Sequence, residues 1–338
     1  MKVKGIGVGS MWYGVGNTAM PNPSAAFIEV HPDSTVTVLT GCTDIGQGST
    51  TVLAQIVAEV LGVEYDKVHV TSADTAVTPE GGATSASRQT YISGNACKNA
   101  AEMARNIMFE VAADMLQTDS ASLELRGQEI YCAEGDNGIA VSEVIKESNK
   151  RGTLIVGSGS YNPPTTSLDS ETMQGTPYGM YAFGTHVAEV EVNTSTGEVK
   201  VLKIIAAHDL GKMINPQMVE GQIEGGCMMG MGFALLEELE VKNGIIKNAG
   251  FSDYLIYTSL DLPDIYPVIL EEGDPEGPFG AKGIGEPALI PTAPAILAAI
   301  KNATGIRFKE LPVTQERVIE QLVKRKKERS QADEGSCN

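Results

Sequence analysis

The sequence has no Cys-x-x-Cys pair. Its five cysteines, Cys42, Cys97, Cys132, Cys227 and Cys337, are scattered along the chain, a spacing that fits neither zinc nor iron–sulfur ligation. An odd number of dispersed thiols with no secretory leader leads us to expect reduced cysteines and a cytoplasmic location. Histidine is scarce. His31, His69, His186 and His208 lie far apart in strand-like or loop contexts, so each is expected to be structural. Positive charge is also short: 25 Lys and Arg against 43 Asp and Glu leave a net charge of −18. Such a body would repel nucleic-acid phosphates. The basic run Lys324–Arg329 reads as the end of a helix, where cations favour the dipole. No apolar run reaches the roughly 20 residues of a membrane span.

What the 338 residues do contain is glycine, 37 in all, and enough apolar side chains, at 42%, to build two or three cores. One stretch organises the rest. The β-branched run Thr35–Thr40 leads into Gly41-Cys42-Thr43-Asp44-Ile45-Gly46-Gln47-Gly48-Ser49, and apolar periodicity from Val52 to Leu61 follows. The pattern predicts strand, glycine turn and helix. Gly46 and Gly48 would let a ligand approach the backbone. Ser49 or Thr50 would cap the helix, and its free N–H groups would suit an anion. A plain turn with no ligand satisfies the same pattern.

Three further segments qualify the first. Residues 74–90 form a loop of small and hydroxyl residues, with Thr84, Ser85, Ala86, Ser87 and Arg88 before a helix expected over Gly94–Leu116. It reads either as a solvated linker or as a wrap for a phosphate-bearing group. A helix from about Met218 to Leu236 contains Gly221, Gly225, Gly226, Gly230 and Gly232 beside Gln222. Each interior glycine costs about 1 kcal/mol relative to alanine, so close helix packing or close approach of a cofactor must compensate. Its methionines are expected in the core. Finally, Gly280-Ala281-Lys282-Gly283-Ile284-Gly285-Glu286-Pro287 sets a carboxylate on a turn.

Elsewhere, Lys4–Gly9 is rejected as a dinucleotide fingerprint, because no strand precedes it and no helix follows. Trp12 and Tyr13 are expected in a glycine-rich loop, flooring a pocket or filling a surface gap. Strands are expected at Ala25–His31, Lys67–Ser72, Thr185–Val192, Val199–His208 and Tyr266–Glu271, and the polar loop 162–181 as a boundary.

In order and content, Asp44–Gly48, Gly221-Gln222-Ile223-Glu224-Gly225 and Gly280–Pro287 resemble the molybdenum-binding subunit of the xanthine dehydrogenase and aldehyde oxidase family of molybdenum hydroxylases. The resemblance implies an α+β fold of mixed sheets with helices packed on them. A first molybdopterin-binding subdomain would span 1–160, a second, carrying the catalytic Glu, would span 161–329, and 330–338 would be a disordered tail. It also implies a molybdopterin cytosine dinucleotide held by Ile45, Gly46, Gln47, Gly48, Thr84, Ser85, Ala86, Ser87, Arg88, Gln222, Lys282, Gly283 and Gly285. Its molybdenum, with a terminal sulfido or selenido ligand, would be held by the pterin and by no side chain. Glu286 would be the general base, and Tyr13 and Thr84 would line the substrate pocket. The family's subunit is much longer, so a large molybdopterin subunit is expected to supply the missing N-terminal half, as in nicotinate dehydrogenases, whose medium subunit this chain resembles. Fe-S and FAD subunits would carry electrons to a nicotinamide acceptor. The substrate would be a small N-heteroaromatic, with nicotinate hydroxylated to 6-hydroxynicotinate as first choice. A split purine or xanthine dehydrogenase, or a non-catalytic assembly subunit, are the alternatives. No nucleic acid or membrane partner is expected.

Overall fold

The computed structural model describes residues 1–133 and 138–335. Strand β1 (Lys2–Gly14) is followed by a hairpin of β2 (Ser24–Val30) and β3 (Val36–Thr40), then helix α1 (Ser49–Leu61), then β4 (Val68–Ser72) parallel to β3. A single π turn, Gln89–Ser93, leads into α2 (Gly94–Leu116). The short strands β5 (Leu123–Arg126), β6 (Glu129–Cys132) and β7 (Gly138–Ala140) form a three-stranded antiparallel sheet, and α3 (Val141–Lys150) and β8 (Ile155–Tyr161) close this half. Its main sheet has the order β4-β3-β2-β8.

The second half opens with the long antiparallel pair β9 (Tyr181–Asn193) and β10 (Val199–Asp209). Helix α4 (Pro216–Leu235) follows, capped by the Asn215 side chain, which accepts from Met218 N at 3.1 Å, with Pro216 in its first turn. A hairpin of β11 (Val241–Lys242) and β12 (Ile245–Ile246) precedes β13 (Asp264–Leu270), which runs parallel to β10. The last helices are α5 (Thr292–Thr304), ended by Gly305 in the left-handed conformation, and α6 (Gln315–Gly335). The fold is therefore α+β with mixed sheets. No helix among the described residues is long and apolar enough to cross a membrane.

Among the described residues, two main cores result, with a smaller cluster of Val15, Tyr91, Ile92, Met180 and Ala182 between them. One gathers Ile28, Val38, Leu53, Val57 and Ala100 between α1, α2 and the first sheet. The other gathers Val190, Ile204, Ile223, Ile296 and Val318 between α4, α5, α6 and the second. Both sheets use one device. Gly5, Gly7 and Gly9 of β1 face α5 so closely that a Cβ on Gly7 would stand 2.1 Å from Ala299 N. Gly157 and Gly159 of β8 face α2 the same way, with a Cβ on Gly157 only 2.0 Å from Ala100 O. Alternating glycines in a strand thus meet alanines in a helix, and the backbones pack nearly in contact.

Several expectations need correction. β1 pairs along its whole length with β9, from Lys2 opposite Asn193 to Gly14 opposite Tyr181. Trp12 and Tyr13 are therefore strand residues, and the division at 160/161 does not follow the sheets, because the first strand belongs with the later half. Met229 is not core, at 62% exposed. Ser330–Gly335 is helical as part of α6, and 336–338 lie outside the described residues.

Candidate cofactor site

The loop before α1 folds around Asp44. Its carboxylate accepts from the main-chain N of Gly46 (2.8 Å), Gly48 (3.3 Å) and Thr50 (3.1 Å). Partial burial works against its charge, but the N–H groups of Gly46, Thr50 and Gly48 together outweigh it and hold the carboxyl below its usual range. The anion position expected at the start of α1 is thus taken by the protein's own carboxylate. The N-cap is Gly48, left-handed at φ 82°, rather than Ser49 or Thr50. Gln47 Oε1 accepts from Ile45 N, and its Nε2 donates to Ser49 Oγ at 2.9 Å, which fixes the side chain. A Cβ on Gly46 would meet nothing within 4 Å, whereas Gly48 abuts Met218 of α4. The Ile45 side chain is 72% exposed.

The second loop is built on Arg88. Its guanidinium is buried and donates to the carbonyls of Gly81, Ala83, Asn22 and Pro23. Arg88 therefore shapes the loop from behind and does not present its charge to a ligand, contrary to expectation. In front of it, Ala86 and Ser87 are consecutive left-handed residues at φ 55° and 53°. Two non-glycine residues in that region cost energy, and such strain collects at functional sites. Thr84 Oγ1 donates to Thr43 O at 2.7 Å and accepts from Gln89 Nε2 at 3.0 Å, which joins this loop to the first. Ser85 is exposed.

Ser87 is the meeting point. Its hydroxyl donates to Glu286 Oε2 and accepts from Glu286 N at 3.0 Å. A Cβ on Gly283 would stand 1.9 Å from Ser87 O, so glycine alone fits there, and Gly285 lies against Ser87 Oγ. Tyr13 reaches the same cluster from β1. Burial and the nearby Glu286 carboxylate push its phenol up to about 12, against a lowering hydrogen bond from Ser87, so it stays protonated. Glu286 is half-buried, on a short 3-10 turn at Glu286–Ala288.

Lys282 departs from expectation in the same manner as Arg88. It is buried and paired with Asp209 at 2.8 Å and Asp274 at 4.0 Å, so its charge is neutralised inside the protein. Its stem still reaches the site, for a cavity of about 60 Å³ is lined by Gln47, Thr90, Met218, Gln222, Lys282 and Ile284 together. All four segments thus touch one hollow, the second of them through Thr90, and Ser87 ties Glu286 to that second segment. A hollow that size is one wall of a site, since it holds only a few waters.

The residues fit a large ligand rich in amide-type donors and acceptors better than a bare phosphate. Two glutamines and the exposed Lys212 line the hollow, while Asp44 and Lys282 are paired within the protein and the Arg88 guanidinium is turned to main-chain carbonyls. Sequence reasoning missed the roles of Asp44, Asp209 and Asp274. The Asp-x-Gly-x-Gly spacing was a usable signal for the first. For the ion pair there was none, with Asp209 and Lys282 73 residues apart.

Comparisons with known proteins bear on this site. A family described as "Molybdopterin cofactor-binding domain" matches residues 1–263. The xanthine dehydrogenase molybdenum-binding subunit of Escherichia coli O157:H7 is 34% identical over 303 residues, 88% of this chain and 39% of its own length. The 6-hydroxypseudooxynicotine dehydrogenase complex subunit gamma of Paenarthrobacter nicotinovorans is 31% identical over 296 residues, 86% of this chain and 36% of its own. Among solved structures, quinoline 2-oxidoreductase from Pseudomonas putida 86 superposes with a TM-score of 0.85 at 30% identity, over 95% of this chain and 42% of that one. The chain therefore spans about two-fifths of the length of the relatives it matches.

Proposed function

The chain belongs to the molybdopterin cofactor-binding domain family, and from that premise we propose that it forms the base-bearing wall of the molybdenum site in a hydroxylase. The observation that carries this reading is the Ser87–Glu286 clamp. A half-buried carboxylate is held from a separate loop, beside the hollow that Gln47 and Gln222 line. When bound, a molybdenum pterin would supply oxygen transfer and two-electron redox chemistry. Gly46, Gln47, Gly48, Gln222 and the main chain of 84–87 would bind it through neutral hydrogen bonds. Gly283 and Gly285 would contribute closeness, and Lys282 and Arg88 support from behind. Any phosphates on the cofactor, including those of a cytosine dinucleotide, would draw compensating charge from Lys212, which also lines the hollow, and from beyond this chain.

Within this chain, Glu286 does the proton chemistry. Ser87 occupies Oε2 and leaves Oε1 to accept a proton from the attacking group. Tyr13, protonated and close by, orients Ser87 and offers an aromatic edge to a substrate ring. The substrate class we propose is an N-heteroaromatic, in which a ring carbon next to nitrogen is hydroxylated. The named substrates of the nicotine-related and quinoline relatives support that class, and nicotinate is the first compound to assay. A purine substrate is the second reading, supported by the xanthine dehydrogenase relative. Electrons would leave through Fe-S and flavin partners. In the purified complex, Glu286→Gln should abolish turnover while molybdenum per chain stays at the wild-type level. Retained turnover would remove Glu286 from the mechanism, and a wild-type complex without molybdenum would remove the function.

A further inference from the structure

Helix α4 carries two kinds of glycine. Gly226 and Gly230 are required by the chain itself, since a Cβ on either would stand 2.6 Å from Ala288 or 2.5 Å from Thr292. Gly221 and Gly225 are not, because nothing lies within 4 Å of where their Cβ atoms would be. Each still costs the helix about 1 kcal/mol relative to alanine. The fold of this chain does not explain that cost.

The same face continues in steps of four to Met229 and Phe233, 62% and 56% exposed, and residues at that spacing lie one above another on a helix. Beyond the helix the chain runs out along a stretch where Phe251 and Leu260 are 104% and 95% exposed. Tyr254 ties that stretch to the end of α4 by donating to Glu237 Oε2 at 2.8 Å. At its other end the face adjoins Gln222 and the hollow described above. Gly221, Gly225, Met229 and Phe233 thus form an uncharged, exposed strip along one face of α4.

We propose that this strip is the seat of the portion of the molybdenum-binding subunit that this chain does not cover. The inference rests on the function proposed above. In the relatives, this chain corresponds to 39% and 36% of a longer subunit, and the remainder must close the hollow from the side α4 leaves open. Gly221 and Gly225 admit a closely approaching backbone, while Met229, Phe233 and the arm supply the apolar contact. Glu220 and Glu224, both exposed, flank the strip, so the partner's rim should be basic. A second copy of this chain suits the strip poorly, because each copy carries −18.

The test uses the complex that the affinity-tagged chain forms in its producing organism, compared with the chain alone by hydroxyl-radical footprinting. The companion should be a polypeptide whose sequence matches the uncovered portion of the molybdenum-binding subunit. Met229 should oxidise about fivefold or more slowly in the complex, as expected for a side chain moved into an interface core. Gly225→Leu should leave the melting temperature of the isolated chain equal or higher and should lose the companion. The inference is overturned if no such companion is present, if Met229 stays equally reactive beside it, if Gly225→Leu binds it at wild-type yield, or if protection comes with a homodimer alone. Metal analysis of the same complex keeps the two readings apart. Molybdenum with an unprotected Met229 refutes only the seat, whereas a companion without molybdenum refutes the proposed function.

Discussion

Glu286 gains its position from a single hydroxyl. Ser87→Ala removes one hydrogen bond to a carboxylate and one from its main-chain N–H, an interaction class worth about 1.5–3 kcal/mol. Turnover should fall roughly 10- to 100-fold with molybdenum content unchanged, as read by steady-state kinetics and metal analysis. A second residue-scale feature is the buried pair His186 and His208, joined Nε2 to Nε2 at 2.7 Å, with His186 Nδ1 on Thr292 Oγ1 at 2.9 Å. Burial, and for His186 the charge of its neighbour, lowers the two imidazoles to about 3 and about 4 from 6.5. Between 6.5 and 4 the unfolded chain therefore binds protons that the folded chain refuses, so stability falls as pH drops through that window and is unaffected by this pair above it. Urea melts across pH should show a slope approaching two protons from the pair, and the double variant His186→Gln, His208→Gln should flatten it. At this scale the sequence was legible where spacing is local. Gln47 and Glu286 lie on glycine turns and Gln222 on a glycine-bearing helix, where the spacing puts them. The charged residues were misread, because whether Arg88 or Lys282 faces a ligand depends on partners such as Asn22 and Asp209, distant in the chain.

Among the elements, glycine has opposite meanings at different places. In β1 it keeps strand and helix backbones in contact, so Gly7→Ala forces a methyl group into α5 and should destabilise by about 3 kcal/mol or more. In the middle of α4 at Gly225 there is room for a side chain, so Gly225→Ala should stabilise the isolated chain by about 0.5–1 kcal/mol. Denaturant unfolding of the two variants should move in opposite directions. Periodicity made most elements legible. α2 was expected over Gly94–Leu116 and is found there, and α5 stops at its glycine. Short strands such as β5 and β7 escaped because three or four residues carry too little pattern. The Gly5-Gly7-Gly9 repeat was rejected as a nucleotide fingerprint, yet its packing role was not seen, for that role depends on Ala295 and Ala299 nearly 300 residues away.

Across the whole molecule, the two main cores are joined by the small apolar cluster of Val15, Tyr91, Ile92, Met180 and Ala182 and by polar links. Asn95 Nδ2 donates to Glu276 O, Asn215 Nδ2 to Gln55 Oε1, and Ser87 to Glu286. A junction with so small an apolar cluster couples less strongly than one continuous core, so calorimetry of the isolated chain should resolve two transitions. Ile28→Ala should lower only one of them and Ile296→Ala only the other; a single transition moved by both would show one cooperative unit. The pairing of β1 with β9 also sets an order of events during synthesis. The first strand leaves the ribosome with no partner until Tyr181 and the residues after it emerge, and the loop bearing Ser87 waits longer still for Glu286. Meanwhile the main chain of β1 is unpaired beside Ile6, Val8 and Trp12, which stay exposed even in the finished fold, a ready edge for mispairing. A nascent chain of this design would gain from a holdase that shelters β1 until β9 has been made.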